Sequence, residues 1–190
     1  MLTADYLCKK FEAGRTYDQY LATGTDEQKR RWSQVYEIAN LNNQQRSLIQ
    51  TFVRDMRVLV ISGIWCGDCV QQVPLLWRIA EENIPRIHLR IVDRDEHKDL
   101  SDVVKLCAGN RVPTVLFLAE DYEFCGLAGD RTLSRYREIA KKQLGASCAT
   151  GINPPDMTEV QHTQQDWLNE FERIQLMLRL SARLRTKHGD

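Results

Sequence analysis

The sequence predicts an α/β fold: a central mixed sheet of about four strands flanked by helices, with extra N-terminal helices and a long C-terminal helix. Three observations carry this. Arg57-Val58-Leu59-Val60-Ile61 is an almost continuous apolar run, as in a strand buried on both faces. It turns through Gly63 into a helical stretch from Cys66 to about Asn83, and the alternating run Arg86 to Val92 follows as a second strand. Strand, helix and strand then form a right-handed parallel crossover. The chain divides into a helical N-terminal extension (1–55), a central domain (56–144), and a linker with a C-terminal helix (145–190).

The elements follow in order. Thr3 or Asp5 opens a short helix over Tyr6 to Phe11 that ends at Gly14. Thr25-Asp26-Glu27-Gln28 has the form of a capping box, in which Thr25 and Gln28 satisfy each other's free backbone donors. Behind it Trp32, Val35, Tyr36 and Ala39 recur at helical spacing, and Leu48, Ile49, Phe52 and Val53 mark another helix after Asn42-Asn43. These helices are expected to cover one face or edge of the sheet. Beyond the second strand come a charged turn, Asp93 to Asp99, and a short helix, Leu100 to Cys107. Next are the apolar strand Val115 to Leu118, a tight turn at Glu120-Asp121, an edge strand over 122–125, and a helix from Thr132 to Leu144. The expected sheet order is 122–125, 114–118, 57–61, 87–92. Gly145 to Pro155 reads as a linker. Asn153-Pro154 opens a helix running to about Arg185, with two apolar stripes: Val160, Trp167, Phe171, Ile174 and Leu178, and Leu176, Leu180 and Leu184. The first stripe suffices for docking on the chain's own core. The second allows a weak dimer, and a monomer remains the alternative. The terminal Arg179, Arg183, Arg185 and Lys187 complement the helix dipole.

The 190 residues carry no net formal charge and are 43% hydrophobic, enough for one sizeable core. Balanced charge argues against nucleic acid or an anionic membrane as the main partner. The first residues lack the basic flank and apolar run of a signal peptide, and no stretch reaches the roughly 20 apolar residues of a membrane span. The expected compartment is the cytoplasm, where a close cysteine pair serves catalysis or metal binding more often than structure.

Cys66 and Cys69 are that pair. A helix amino terminus carries unpaired N–H groups and a positive partial charge, which favour the thiolate at Cys66. Cys69, one turn on, can close a small disulfide with it. A zinc site needs two more ligands, and His88, His97, His162 and His188 are dispersed, so no metal is expected. Cys8, Cys107, Cys125 and Cys148 read as small buried hydrophobes, although Cys107 lies near the Pro113 loop and is an alternative redox partner.

Trp65-Cys66-Gly67-Asp68-Cys69, Pro74 five residues beyond, and Val112-Pro113-Thr114 before a strand together resemble the thioredoxin superfamily, over roughly residues 56 to 144. The Trp-Cys-Gly-Asp-Cys variant is similar to a bacterial thioredoxin-like subgroup. The resemblance implies a thioredoxin-like fold and thiol–disulfide exchange on protein substrates, with Cys66 as nucleophile and Cys69 as resolving cysteine. It implies a cis Pro113 that holds Val112 against the substrate chain, a shielding Trp65, and a Pro74 kink in the helix. Trp65, Gly67, Arg111, Val112 and Pro113 form the expected substrate-facing rim. Electrons would come from a thioredoxin-reductase-type donor rather than a tightly held cofactor.

Several positions depart from the family pattern. The buried acid expected six residues before the first cysteine is Val60, its lysine partner is Leu89, the proline inside the dithiol loop is Asp68, and the basic residue after it is Val70. Asp68 has two readings: a first-turn carboxylate that favours the helix dipole, or a charge beside Cys66 that disfavours its thiolate and relays a proton to Cys69. Arg111 either offsets that charge or is a solvated loop cation. A second function of another class is a redox-responsive interaction or scaffold protein with little turnover.

Overall fold

A computed structural model describes residues 2–144 and 159–190. The four N-terminal helices each begin at a residue whose side chain accepts a backbone N–H, which is what an exposed helix start requires. α1 (Ala4–Glu12) is capped by Thr3, α2 (Tyr17–Leu21) by Thr16, α3 (Asp26–Ile38) by Thr25 and α4 (Asn43–Gln50) by Asn42. The last three are full capping boxes closed by Gln19, Gln28 and Gln45. α2 is absent from the sequence expectation. Five residues give too little periodicity to read, and Thr16-x-x-Gln19 was its only local signal.

β1 (Met56–Ser62) leads into α5 (Gly67–Glu81), with Cys66 at the N-cap and Pro74 buried inside the helix. β2 (Ile87–Asp93), the short α6 (Lys98–Ser101), β3 (Thr114–Leu118), β4 (Phe124–Gly129) and α7 (Leu133–Leu144) complete the central part. The sheet order is β2-β1-β3-β4, the order expected, with β1/β2 parallel and the other pairs antiparallel. β1 is central, and Val58 to Ile61 are fully buried because both sheet faces are covered.

Three boundaries differ from expectation. β4 starts at Phe124 rather than 122, because Tyr122 takes a left-handed φ of 64° and spends its position on the turn. The helix expected over Leu100 to Cys107 ends at Ser101. Cys107 and Ala108, with φ of 48° and 60°, instead close a tight turn in which Leu106 and Gly109 exchange backbone hydrogen bonds. The C-terminal helix breaks into α8 (Glu159–Leu180) and α9 (Ala182–His188), with Ser181 capping the second segment. The break turns Leu184 into the core while Leu176 and Leu180 stay exposed, so the expected second stripe is not continuous. The expected opening of that helix at Asn153-Pro154, and Cys148, lie outside the described residues.

The additions at both ends are packed into the core. Trp32 of α3 is fully buried and donates Nε1–H to the Ile64 carbonyl at 3.1 Å, which fixes the loop just before the cysteines. Tyr17 of α2 stacks on Trp77 of α5 at 5.6 Å. Phe171 of α8 meets Phe117 of β3 edge to face at 5.3 Å. The basic end of the chain does more than complement a dipole: Arg183 pairs with Asp121, and Lys187 and His188 pair with Glu120 on the β3–β4 turn. Among the described residues no helix is long and apolar enough to cross a membrane.

Candidate active site

β1 ends at Ser62 and the chain turns at Gly63, where a side chain would sit 2.9 Å from the Trp65 ring. Glycine therefore lets Trp65 fold back over the turn. Trp65 is 48% exposed, and its ring carries the Arg94 guanidinium 4.7 Å from its centroid. Trp65 thus lies over the turn that leads into Cys66, held by Arg94. Gly67 is exposed with open space around it, so it offers access rather than a specific contact.

Cys66 is partly exposed and Cys69 is fully buried, both as free thiols. Cys66 Sγ lies 3.6 Å from the Val112 carbonyl oxygen, which places the nucleophile against the loop containing the cis Val112–Pro113 bond. The Cys66 thiol is pushed down to about 6, first by a hydrogen bond from the Cys69 thiol. Partial burial opposes this, the backbone N–H groups of Cys69 and Asp68 reinforce it, and the Asp68 carboxylate works weakly against it. The Cys69 thiol is pushed well up, chiefly by burial and then by its partner Cys66. The two sulfurs are therefore divided into an ionised, accessible one and a protonated, enclosed one.

Asp68 opposes the thiolate, the sign its position predicts, but its neighbours differ from those expected. Arg131 donates to its Oδ2 from Nε at 3.1 Å and from Nη2 at 2.7 Å, and Arg135 reaches Oδ1 at 3.4 Å. Arg111 does not offset Asp68. Its Nη1 donates to Asp130 Oδ2 at 3.2 Å instead. Burial works against ionisation of Asp130, yet hydrogen bonds from Tyr136 and Arg111 hold its carboxyl below the usual range. Gln72 of α5 donates to the Asp130 backbone carbonyl at 2.8 Å, and Thr114 Oγ1 donates to the Arg111 carbonyl at 2.7 Å. These bonds tie the end of β4, the Pro113 loop and α5 into one rim.

Asp130, Arg131 and Arg135 were missed in the sequence. Register would have found them, since Thr114 pairs with Gly129 and the following residues must fall beside Pro113. The expected edge strand over 122–125 stopped short of that point. Gly129 has φ of +124°, and a Cβ there would lie 2.3 Å from the Pro113 carbonyl oxygen, so only glycine permits this approach. Among the described residues no group of three or more His, Cys, Asp or Glu is placed to hold a metal ion.

The family model described as Thioredoxin matches residues 14–140, reaching back into the helices before β1. A protein disulfide isomerase-like 2-3 from Oryza sativa subsp. japonica is 30% identical over 122 residues, 63% of this chain and 26% of that protein. The chain thus spans about a quarter of that relative's length. A solved structure of a protein of unknown function from Pseudomonas aeruginosa superposes with TM-score 0.65 at 19% identity, covering 87% of this chain and 96% of the other. An HIV epitope-scaffold structure superposes with TM-score 0.67 at 19% identity, covering 87% and 97%. At that identity the two structures speak for the fold alone.

Proposed function

This chain belongs to the thioredoxin family, and from that membership we propose that it is a thiol–disulfide oxidoreductase acting on protein disulfides through Cys66 and Cys69. The observation that carries this reading is the unequal pair: a partly exposed Cys66 with its thiol lowered to about 6, and a buried, protonated Cys69 one turn away. The Cys66 thiolate attacks one sulfur of a substrate disulfide, forming a mixed disulfide and releasing the other sulfur as a thiolate. Cys69 then loses its proton and attacks Cys66 Sγ. The Cys66–Cys69 disulfide forms, and the second substrate sulfur leaves reduced. Val112 and Pro113 face Cys66 and are suited to hold an extended substrate chain, while Trp65, Gly67 and Arg111 complete the rim. Asp68 acts through charge, held by Arg131 and Arg135.

The proposed setting is the cytoplasm, with a thioredoxin-reductase-type donor restoring the dithiol and no bound cofactor. Direction is set by potential: about −270 mV for the pair would place it with reductants, and about −120 mV with oxidants. The central test is insulin reduction with dithiothreitol. Turnover abolished by Cys66→Ser supports the enzyme. Wild type no faster than Cys66→Ser overturns it in favour of a redox-responsive binding protein.

A further inference from the structure

In the exchange proposed above, the buried Cys69 thiol must release a proton while the mixed disulfide covers Cys66. Asp68 is poorly placed to take it, because its two oxygens are occupied by Arg131 and Arg135. Near Cys69 the structure sets two buried hydroxyls, those of Ser62 and Tyr20. Ser62, the last residue of β1, is fully buried, and its Oγ makes no hydrogen bond of ordinary geometry among the described residues. Its polar neighbours are the Cys69 thiol and the Tyr20 hydroxyl, each of which its own hydroxyl makes more acidic. Tyr20, from α2, is 1% exposed and donates its hydroxyl to Asp93 Oδ2 at 3.3 Å. Asp93 is the register partner of Ser62 at the end of β2 and is only partly buried. A buried hydroxyl without a full partner, between a buried thiol and a buried tyrosine, calls for a role.

We propose that Ser62, Tyr20 and Asp93 form a proton path from the Cys69 thiol to the surface. As Cys69 attacks Cys66 Sγ, its S–H proton passes to Ser62 Oγ, the Ser62 proton to Tyr20 Oη, and the Tyr20 proton to the Asp93 carboxylate, which returns it to solvent. The S–S bond to the substrate breaks and the Cys66–Cys69 bond forms. The departing substrate thiolate carries the electron pair, and no outside oxidant or reductant is consumed. Ser62 is the group that takes the proton from the reacting sulfur; Tyr20 and Asp93 act through it as positioning residues. The other charged groups around the path are Cys66 and Asp68 on the α5 side, Arg15 before α2, and Arg94 after β2. The N-terminal helices therefore supply part of the chemistry, through α2.

The test uses the full chain mixed with substoichiometric dithiobis(nitrobenzoate) in a stopped-flow instrument. Attack by Cys66 releases one thionitrobenzoate, and resolution by Cys69 releases a second. In Ser62→Ala and Tyr20→Phe the first phase should be unchanged. The second should slow by about tenfold or more, with its pH dependence displaced to higher pH. Asp93→Asn should displace the same profile. Tyr20→Phe keeps the ring packed on Trp32, so it decides alone if Ser62→Ala does not fold. Folded variants with a wild-type second phase and wild-type pH profile would overturn the path. A wild-type protein lacking the first phase would instead overturn the exchange reading beneath it, a separate and recognisable failure.

Discussion

Replacing Cys69 with alanine removes the largest influence that lowers the Cys66 thiol from its ordinary 9.0 to about 6. The consequence can be sized. At pH 7 about nine-tenths of wild-type Cys66 is thiolate, against about one-hundredth for a thiol at 9.0. Each thiolate, however, loses intrinsic nucleophilicity as its pKa falls, and over this range the loss is roughly 20-fold. Full return to 9.0 would thus slow alkylation of Cys66 by only about fourfold at pH 7 and about 25-fold at pH 6, and would speed it about tenfold at pH 9. The backbone N–H groups of Cys69 and Asp68 survive the substitution, so the return will be partial, but the two rate–pH curves must still cross. The assay is iodoacetamide labelling of the Cys66 peptide followed by mass spectrometry, which separates it from Cys8, Cys107, Cys125 and Cys148. A Cys69→Ala curve with the wild-type midpoint, merely scaled up or down, would refute the claim that the neighbouring sulfur sets Cys66 ionisation.

Other perturbations have equally definite outcomes. Asp68→Asn removes a carboxylate that opposes the thiolate and should lower the Cys66 midpoint further, by less than about one pH unit because Arg131 and Arg135 already screen it; an unmoved titration removes the electrostatic role. Gly129→Ala places a Cβ 2.3 Å from the Pro113 carbonyl oxygen at a φ of +124° and should cost about 2 kcal/mol or more in urea unfolding. Unchanged stability would contradict that close approach. Phe171→Ala empties the fully buried contact with Phe117 and should cost about 3–5 kcal/mol. A loss below about 1 kcal/mol would mean that α8 is not part of the cooperative core.

The parts of the fold that were legible in the sequence share one feature: their signal is local. Thr25 announces a helix start because a capping side chain must lie within three residues of the N–H it satisfies. Val58 to Ile61 announce a buried central strand because every residue is apolar. Turns were harder. Tyr122, Cys107 and Ala108 adopt left-handed φ values that no glycine foretold, and the edge strand and α6 shifted with them. The break at Ser181 was also hidden, since a serine within an apolar periodicity caps a new segment only where the core offers Leu184 a place.

For the candidate site, the sequence by itself determined the two sulfurs, their helical spacing and the adjoining Trp65, because these lie in one short motif whose geometry is fixed by neighbouring backbone. The Pro113 loop, whose Val112 lies 46 positions from Cys66, was expected only from the family resemblance. The sequence left Asp68 with two readings, a carboxylate favouring the helix dipole or a charge opposing the thiolate, and the opposing sign appears only in the folded site. Only the tertiary structure decided which cations hold Asp68, that Arg111 belongs to Asp130, and that the Tyr20 hydroxyl reaches Asp93. Those pairings join residues from 19 to 73 positions apart. Long charged and aromatic side chains satisfy any suitable partner within reach, and reach is set by sheet register and helix packing rather than by spacing along the chain.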